Sequence, residues 1–205
     1  MHAETRIKQE APADSKLRIF SLYVDFAASA HAKWVTGTIT KLAGPTWKNR
    51  TEMWHLDSCM AGEQLRKIML QEAADADMLI VALCSLDYYE SRLMEWLTAL
   101  AGHKAEHQAS RLFIGLLGDE DHQAGELRAT VKHFIHCAKE MGRDFIWQWM
   151  GREAIQDDTW LTDKVGRYLS RKRFQLMRET LADVGGPTSG GLTGQSPTET
   201  GPAAL

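Results

Sequence analysis

His103-Lys104-Ala105-Glu106-His107 sets two imidazoles four positions apart beside a carboxylate, the H-x-x-E-H arrangement in which paired His ligands hold zinc next to a general base. The segment around it, AGHKAEHQAS, is polar and follows Gly102, so His103 and His107 are a long shot and no metal is expected. His133, His136 and Cys137 form a second soft cluster, for which chance spacing is the better account. A third group is more coherent. Asp25, Phe26 and Ser29 follow one apolar run, Asp57 follows a second, and Ser85, Asp87 and Tyr88 follow a third. If those runs lie side by side, the acids and hydroxyls share a rim that suits a hard cation or a ligand hydroxyl. Acids at such places also cap helices, and that structural role is the commoner one.

What the rim lacks is as informative. Loops that cradle phosphate need glycines, so that backbone N–H groups can approach the anion. The stretch Asp25-Phe26-Ala27-Ala28-Ser29-Ala30 has none and opens with a negative charge. It therefore speaks against a flavin-phosphate site and against a dinucleotide fingerprint, and no cofactor is expected. Farther along, Arg167, Arg171, Lys172 and Arg173 make a basic run, and Trp147 and Trp149 share one side of an extended segment. Together they are the expected partner surface, for another protein or for a second copy. With 24 basic and 27 acidic side chains the net charge is −3, which argues against a dedicated nucleic-acid binder. A small nucleotide is kept as a candidate ligand. No apolar run is long enough to span a membrane. Three widely spaced cysteines, Cys59, Cys84 and Cys137, fit reduced thiols in a cytoplasm better than a bridged secreted scaffold.

The elements that must position these residues alternate. LRIFSLYV (17–24), TEMWHLD (ending at Asp57), MLIVALC (78–84), RLFIGLL (111–117) and DFIWQWM (144–150) read as strands. Between them lie helical stripes: Ala28, Ala32, Val35, Ile39 and Leu42; then Leu65, Ile68, Met69 and Ala73; then Leu93, Trp96, Leu97 and Leu100. The clearest is Leu127, Val131, Phe134, Ile135, Ala138 and Met141. A last helix from about Asp157 or Asp158 carries Leu161, Val165, Leu169 and Leu176 inward. MLIVALC is apolar on both faces, as a central parallel strand must be. Right-handed crossovers then give a three-layer, doubly wound α/β domain with a parallel five-stranded sheet, expected in the flavodoxin-like order 2-1-3-4-5. Residues 1–16 read as a polar leader, 17–182 as the single domain and 183–205 as a disordered tail rich in Gly, Pro, Ser and Thr.

The stretch from Gly62 to Ser85, followed by Tyr88 and Ser91, resembles the middle of TIR-like signalling domains, with Ser85, Tyr88 and Ser91 matching a Ser-x-x-Tyr-x-x-Ser loop. Where that family continues with Trp-Cys and a catalytic Glu, this chain has Leu93, Met94 and Leu97. Ala76-Asp77 before an apolar strand is similar to nucleoside deoxyribosyltransferase-type domains, a resemblance that implies Glu95 as nucleophile. Phosphoreceivers are similar in topology alone, and Cys84-Ser85 stands where their phosphorylated Asp would be. The general layout is similar to bacterial α/β proteins that begin with a strand and an Asp-Phe turn. The expectation is therefore a non-catalytic signalling or regulatory interaction domain in the cytoplasm. Its alternative is an N-glycosidic-bond enzyme acting on a nucleotide or nucleoside through Glu95.

Overall fold

The computed structural model describes residues 15–84, 90–103, 111–118, 124–150 and 159–184. The first half of the chain runs β1 (Lys16–Tyr23), α1 (Phe26–Ala43), β2 (Lys48–His55), α2 (Leu56–Met60), α3 (Glu63–Asp75) and β3 (Met78–Leu83). The second half runs α4 (Glu90–Ala101), β4 (Leu112–Gly118), α5 (Ala124–Glu140), β5 (Asp144–Met150) and α6 (Thr159–Val184). All five strands are parallel and lie in the order β2-β1-β3-β4-β5. This is the expected flavodoxin-like order.

β3 and β4 are buried at every position because helices cover both faces of the sheet, leaving no site where a polar side chain could reach water. On one face Phe20, Leu22, Leu79, Val81 and Phe113 pack with Met69 and Ala73 of α3, Trp96 and Leu97 of α4, and Phe134 of α5. On the other face Leu17, Ile19, Ile80, Ile114 and Leu116 pack with Ala32, Val35 and Ile39 of α1 and Leu161, Val165 and Tyr168 of α6. Gly115 makes room for the first core. A β-carbon there would come within 3.2 Å of the Phe134 ring. In the space it leaves, Phe113 stacks on Phe134 at 5.4 Å and meets Phe145 edge-on at 5.1 Å. α1 stops at Gly44, whose φ of 78° suits a residue without a β-carbon.

The amino ends of the strands close over a buried polar cluster. Asp77, just before β3, accepts a hydrogen bond from the Arg18 N–H at 2.8 Å and pairs with the buried ammonium of Lys172 from α6. The Tyr168 hydroxyl donates to the Asp77 carbonyl at 3.2 Å. Arg143, in the turn between α5 and β5, donates to the carbonyls of Ala73, Ala74 and Ala76 at 2.8, 3.1 and 2.9 Å. Arg111 joins it on Ala74 at 2.6 Å. Carbonyls in the last turn of a helix lack their i+4 donors, Ala73 having the Ala76 N–H at 3.4 Å instead, and the two guanidinium groups cap this end of α3.

Several boundaries differ from the sequence reading. β2 ends at His55, and Asp57 lies on the short α2 instead of at a strand end. β1 begins at Lys16, inside the expected leader, and α6 continues through Val184, past residue 182. Ile135, expected in the inward stripe of α5, is 49% exposed because Phe134, Cys137 and Ala138 centre the buried face beside it. Among the described residues no helix is long and apolar enough to cross a membrane.

Candidate functional site

At the carboxyl ends of the strands, the turn from β1 into α1 is held by Asp25. Its backbone is extended, and one carboxylate oxygen accepts the Ala28 N–H at 2.8 Å, as a helix cap does. The other oxygen reaches across the sheet to the Cys84 N–H at 3.0 Å. Asp25 thus ties the ends of β1 and β3 together and adds negative charge at the start of α1, where a phosphate would otherwise be favoured. The Ser29 hydroxyl is also engaged, donating to the Phe26 carbonyl at 2.6 Å, while the Phe26 ring is 89% exposed. Asp57 pairs with Arg92 of α4 at 2.5 Å and its N–H donates to His55 Nδ1 at 3.2 Å. Of the expected rim, Asp25, Phe26 and Ser29 stand together at the start of α1, Asp57 lies on α2, and the cross-sheet contact of Asp25 is to Cys84, outside the expected set. Ser85, Asp87 and Tyr88 lie outside the described residues, as does His107.

A different cleft opens beside this rim, between the amino-terminal half of α1 and the start of α6. His31 and Trp34 stand one turn apart on α1 and share a face with Val35. Leu116 of β4 and Gln148 and Met150 of β5 form the floor, and Trp160 of α6 forms the far wall. The space is about 250 Å³ with its open mouth included, and at rest the walls leave room for little more than a water molecule. His31 Nδ1 lies 2.9 Å from the Ala27 carbonyl. A carbonyl can only accept, so Nδ1 donates, and Nε2 is an acceptor whenever the ring is neutral. Among the described residues that Nε2 is buried with no hydrogen-bond partner, and so is Nε1–H of Trp160. One cleft thus holds an unused acceptor and an unused donor, both in surroundings where an unmade hydrogen bond is costly. The sequence reading passed over His31, Trp34, Gln148 and Trp160. Only the His31–Trp34 spacing, on the inward side of an amphipathic stripe, hinted at them.

The remaining expected residues are dispersed. Lys172, expected on an exposed partner surface, is buried against Asp77, because it continues the inward row of Leu161, Val165 and Tyr168. Arg173 is half-buried and donates to the Ala43 carbonyl at 2.7 Å. Arg167 and Arg171 are exposed and pair with Asp163 and Asp144. Trp147 is 43% exposed, whereas Trp149 packs on the α5 side of the core. His103 sits just past α4, its N–H on the Leu100 carbonyl at 3.0 Å. Among the described residues no cluster of His, Cys, Asp and Glu could hold a metal.

Burial pushes the Cys59 thiol up to about 12 and raises that of Cys137 as well, so neither is a ready nucleophile. Glu95 is exposed on α4 and pairs with Arg66 at 2.8 Å.

No family model matches the chain, and no curated protein matches it. Solved structures do share its fold. An NADH:FMN oxidoreductase in its apo form is 13% identical with a TM-score of 0.50, over 78% of this chain and 89% of that one. An FMN-dependent NADH-azoreductase from Bacillus anthracis is 13% identical with a TM-score of 0.45, over 79% and 99%. Smu.1420 from Streptococcus mutans is 11% identical with a TM-score of 0.46, over 75% and 98%. These values speak to the fold alone. Even so, they do not bear out the expected function. The fold neighbour at a TM-score of 0.50 is a flavin oxidoreductase, where the sequence reading had a non-catalytic signalling or regulatory domain and, as its alternative, an N-glycosidic-bond enzyme. Glu95, the nucleophile that the alternative required, lies on an exposed helix face and pairs with Arg66.

Proposed function

We propose that this chain is a small-molecule protein that takes a planar, phosphate-free heteroaromatic ring into the cleft between α1 and α6. One observation carries the reading: among the described residues, Nε2 of His31 and the N–H of Trp160 are both buried there without a partner, and in the neutral ring that Nε2 is an acceptor. A ring that offers an N–H to the first and a carbonyl or ring nitrogen to the second would satisfy both. Trp34, Trp160 and Met150 supply apolar faces for it, and Gln148 adds an amide that can donate or accept. Because the cleft is narrow at rest, entry needs the indole walls to part.

The likeness in fold to an NADH:FMN oxidoreductase puts flavin-type rings first among the compounds to try. The phosphate of FMN itself does not fit the start of α1, where the Asp25 carboxylate already occupies the cap and the loop has no glycine. Riboflavin, which lacks that phosphate, is thus the better probe. Three cysteines, none in a disulfide, support a reducing compartment such as the cytoplasm.

The test is tryptophan-fluorescence and calorimetric titration with riboflavin, FMN and neutral purine and pterin bases. Saturable binding of at least one neutral ring is expected, with FMN weaker than riboflavin. His31→Ala and Trp160→Phe should each weaken it by about tenfold, the loss of one hydrogen bond in a dry site. If no ring binds, or if both variants bind as tightly as the parent, the cleft is not the site.

A further inference from the structure

Among the described residues that line the cleft between α1 and α6, His31 is the one whose side chain can gain a charge near neutral pH. Its Nδ1 is held by the Ala27 carbonyl at 2.9 Å, so a proton taken up by the ring arrives at Nε2. That proton turns the acceptor into a second donor beside the Trp160 N–H and puts a positive charge among apolar walls. Among the described residues nothing there answers it. Within a turn of His31, α1 presents Ala27, Ala28, Trp34 and Val35. β4 presents Leu116, β5 presents Gln148 and Met150, and α6 presents Trp160, all of them uncharged. Lys33 is exposed and stands about 200° round the helix from His31. Asp25, the acid nearest along the chain, has both oxygens on backbone donors.

We propose that the ionisation of His31 selects between two classes of ligand at this cleft, a proposal that rests on reading the cleft as a ligand site. With the imidazole neutral, the cleft takes a flat ring that brings an N–H to Nε2. With the imidazole protonated, it takes a flat aromatic carboxylate, whose oxygens accept from the Nε2–H and Trp160 donors and whose charge neutralises the imidazolium. A cation among apolar walls lacks a counter-charge until a ligand brings one, and that favours the carboxylate over a neutral acceptor. Proton and N–H ligand then compete, whereas proton and carboxylate bind cooperatively, each by the same factor in both directions.

Calorimetric titration of the full chain at about pH 5.5 and about pH 8 brackets the range in which histidine changes charge. Riboflavin, neutral at both, should bind about tenfold more weakly at the lower pH. 2-Naphthoate, ionised at both, should bind about tenfold more tightly there. His31→Gln keeps a hydrogen-bonding side chain that does not titrate, so it should flatten both dependences. Circular dichroism checks that the variant folds. Where it does not, the parent alone decides, through the buffer dependence of the binding enthalpy at about pH 6.5. Riboflavin should release protons on binding and naphthoate should take them up. If naphthoate and every neutral ring fail to bind at both pH values, the cleft is no ligand site and both readings fall. If a probe binds with the same affinity at both, or if His31→Gln keeps the pH dependence of the parent, this proposal fails and the reading of the cleft stands.

Discussion

Asp25 spends both carboxylate oxygens on backbone donors, one at the start of α1 and one at the end of β3. Removing it uncaps a helix and also leaves the Cys84 N–H without its acceptor, two losses that act on different elements. Asp25→Ala should therefore cost about 2–4 kcal/mol, more than an ordinary cap, with Asp25→Asn between it and the parent. Urea denaturation followed by circular dichroism measures this, and a cost no larger than the ~1 kcal/mol of an ordinary cap would show that the contact to Cys84 contributes nothing. The residue also marks what was legible of the site. Its position at a strand end could be read from the alternation of elements, but a ligand-binding acid and a capping acid look alike in sequence. His31 is the reverse case. Its significance lies in an unused lone pair beside Trp160, and no local pattern joins two residues so far apart in the chain.

The same limit operates between elements. Strand and helix order could be read because it depends on local apolar periods, and DFIWQWM matches β5 residue for residue. Charged residues at the junctions could not, since an Arg beside a turn reads as solvated until the fold shows what it faces. Arg143 is the clearest instance: it is buried, and its three carbonyl acceptors all lie at the end of α3. Burial pulls its pKa down to about 10, which shows how far the protein is from solvating that charge. Lys172 was readable in principle, for it continues the spacing of Leu161, Val165 and Tyr168, yet residue type outweighed period. Arg143→Ala should strip the cap from α3 and cost about 3–5 kcal/mol in urea denaturation. Arg143→Lys should recover part of the loss, since an ammonium keeps the charge and fewer of the directed donors. Equal stabilities for the three proteins would mean that water replaces the guanidinium without cost.

Across the whole molecule, one sheet separates two cores, and α6 joins the second core to the polar cluster beneath the strands. Tyr168 sits where these meet, fully buried, with its hydroxyl on the Asp77 carbonyl. Burial, and then the nearby Asp77 charge, push its ionisation well above the ordinary tyrosine value. As the pH rises past about 10, the unfolded chain releases this proton while the folded one keeps it. The folded state then binds more protons, so stability falls with rising pH, and the contribution present at neutral pH is lost as the folded pKa is approached. Arg143 acts in the opposite sense, because its lowered pKa makes the folded state the first to release a proton over much of the same range. The sum of the two is therefore less telling than a difference. Tyr168→Phe removes only the first contribution, so its stability should decline less steeply than that of the parent in denaturation series taken above about pH 10. Absorbance titration in the near ultraviolet gives the same answer by another route, with the phenolate of Tyr168 appearing only when the domain unfolds. A phenolate that forms while the circular dichroism is still native would place water at this junction and undo the assignment of a sealed second core.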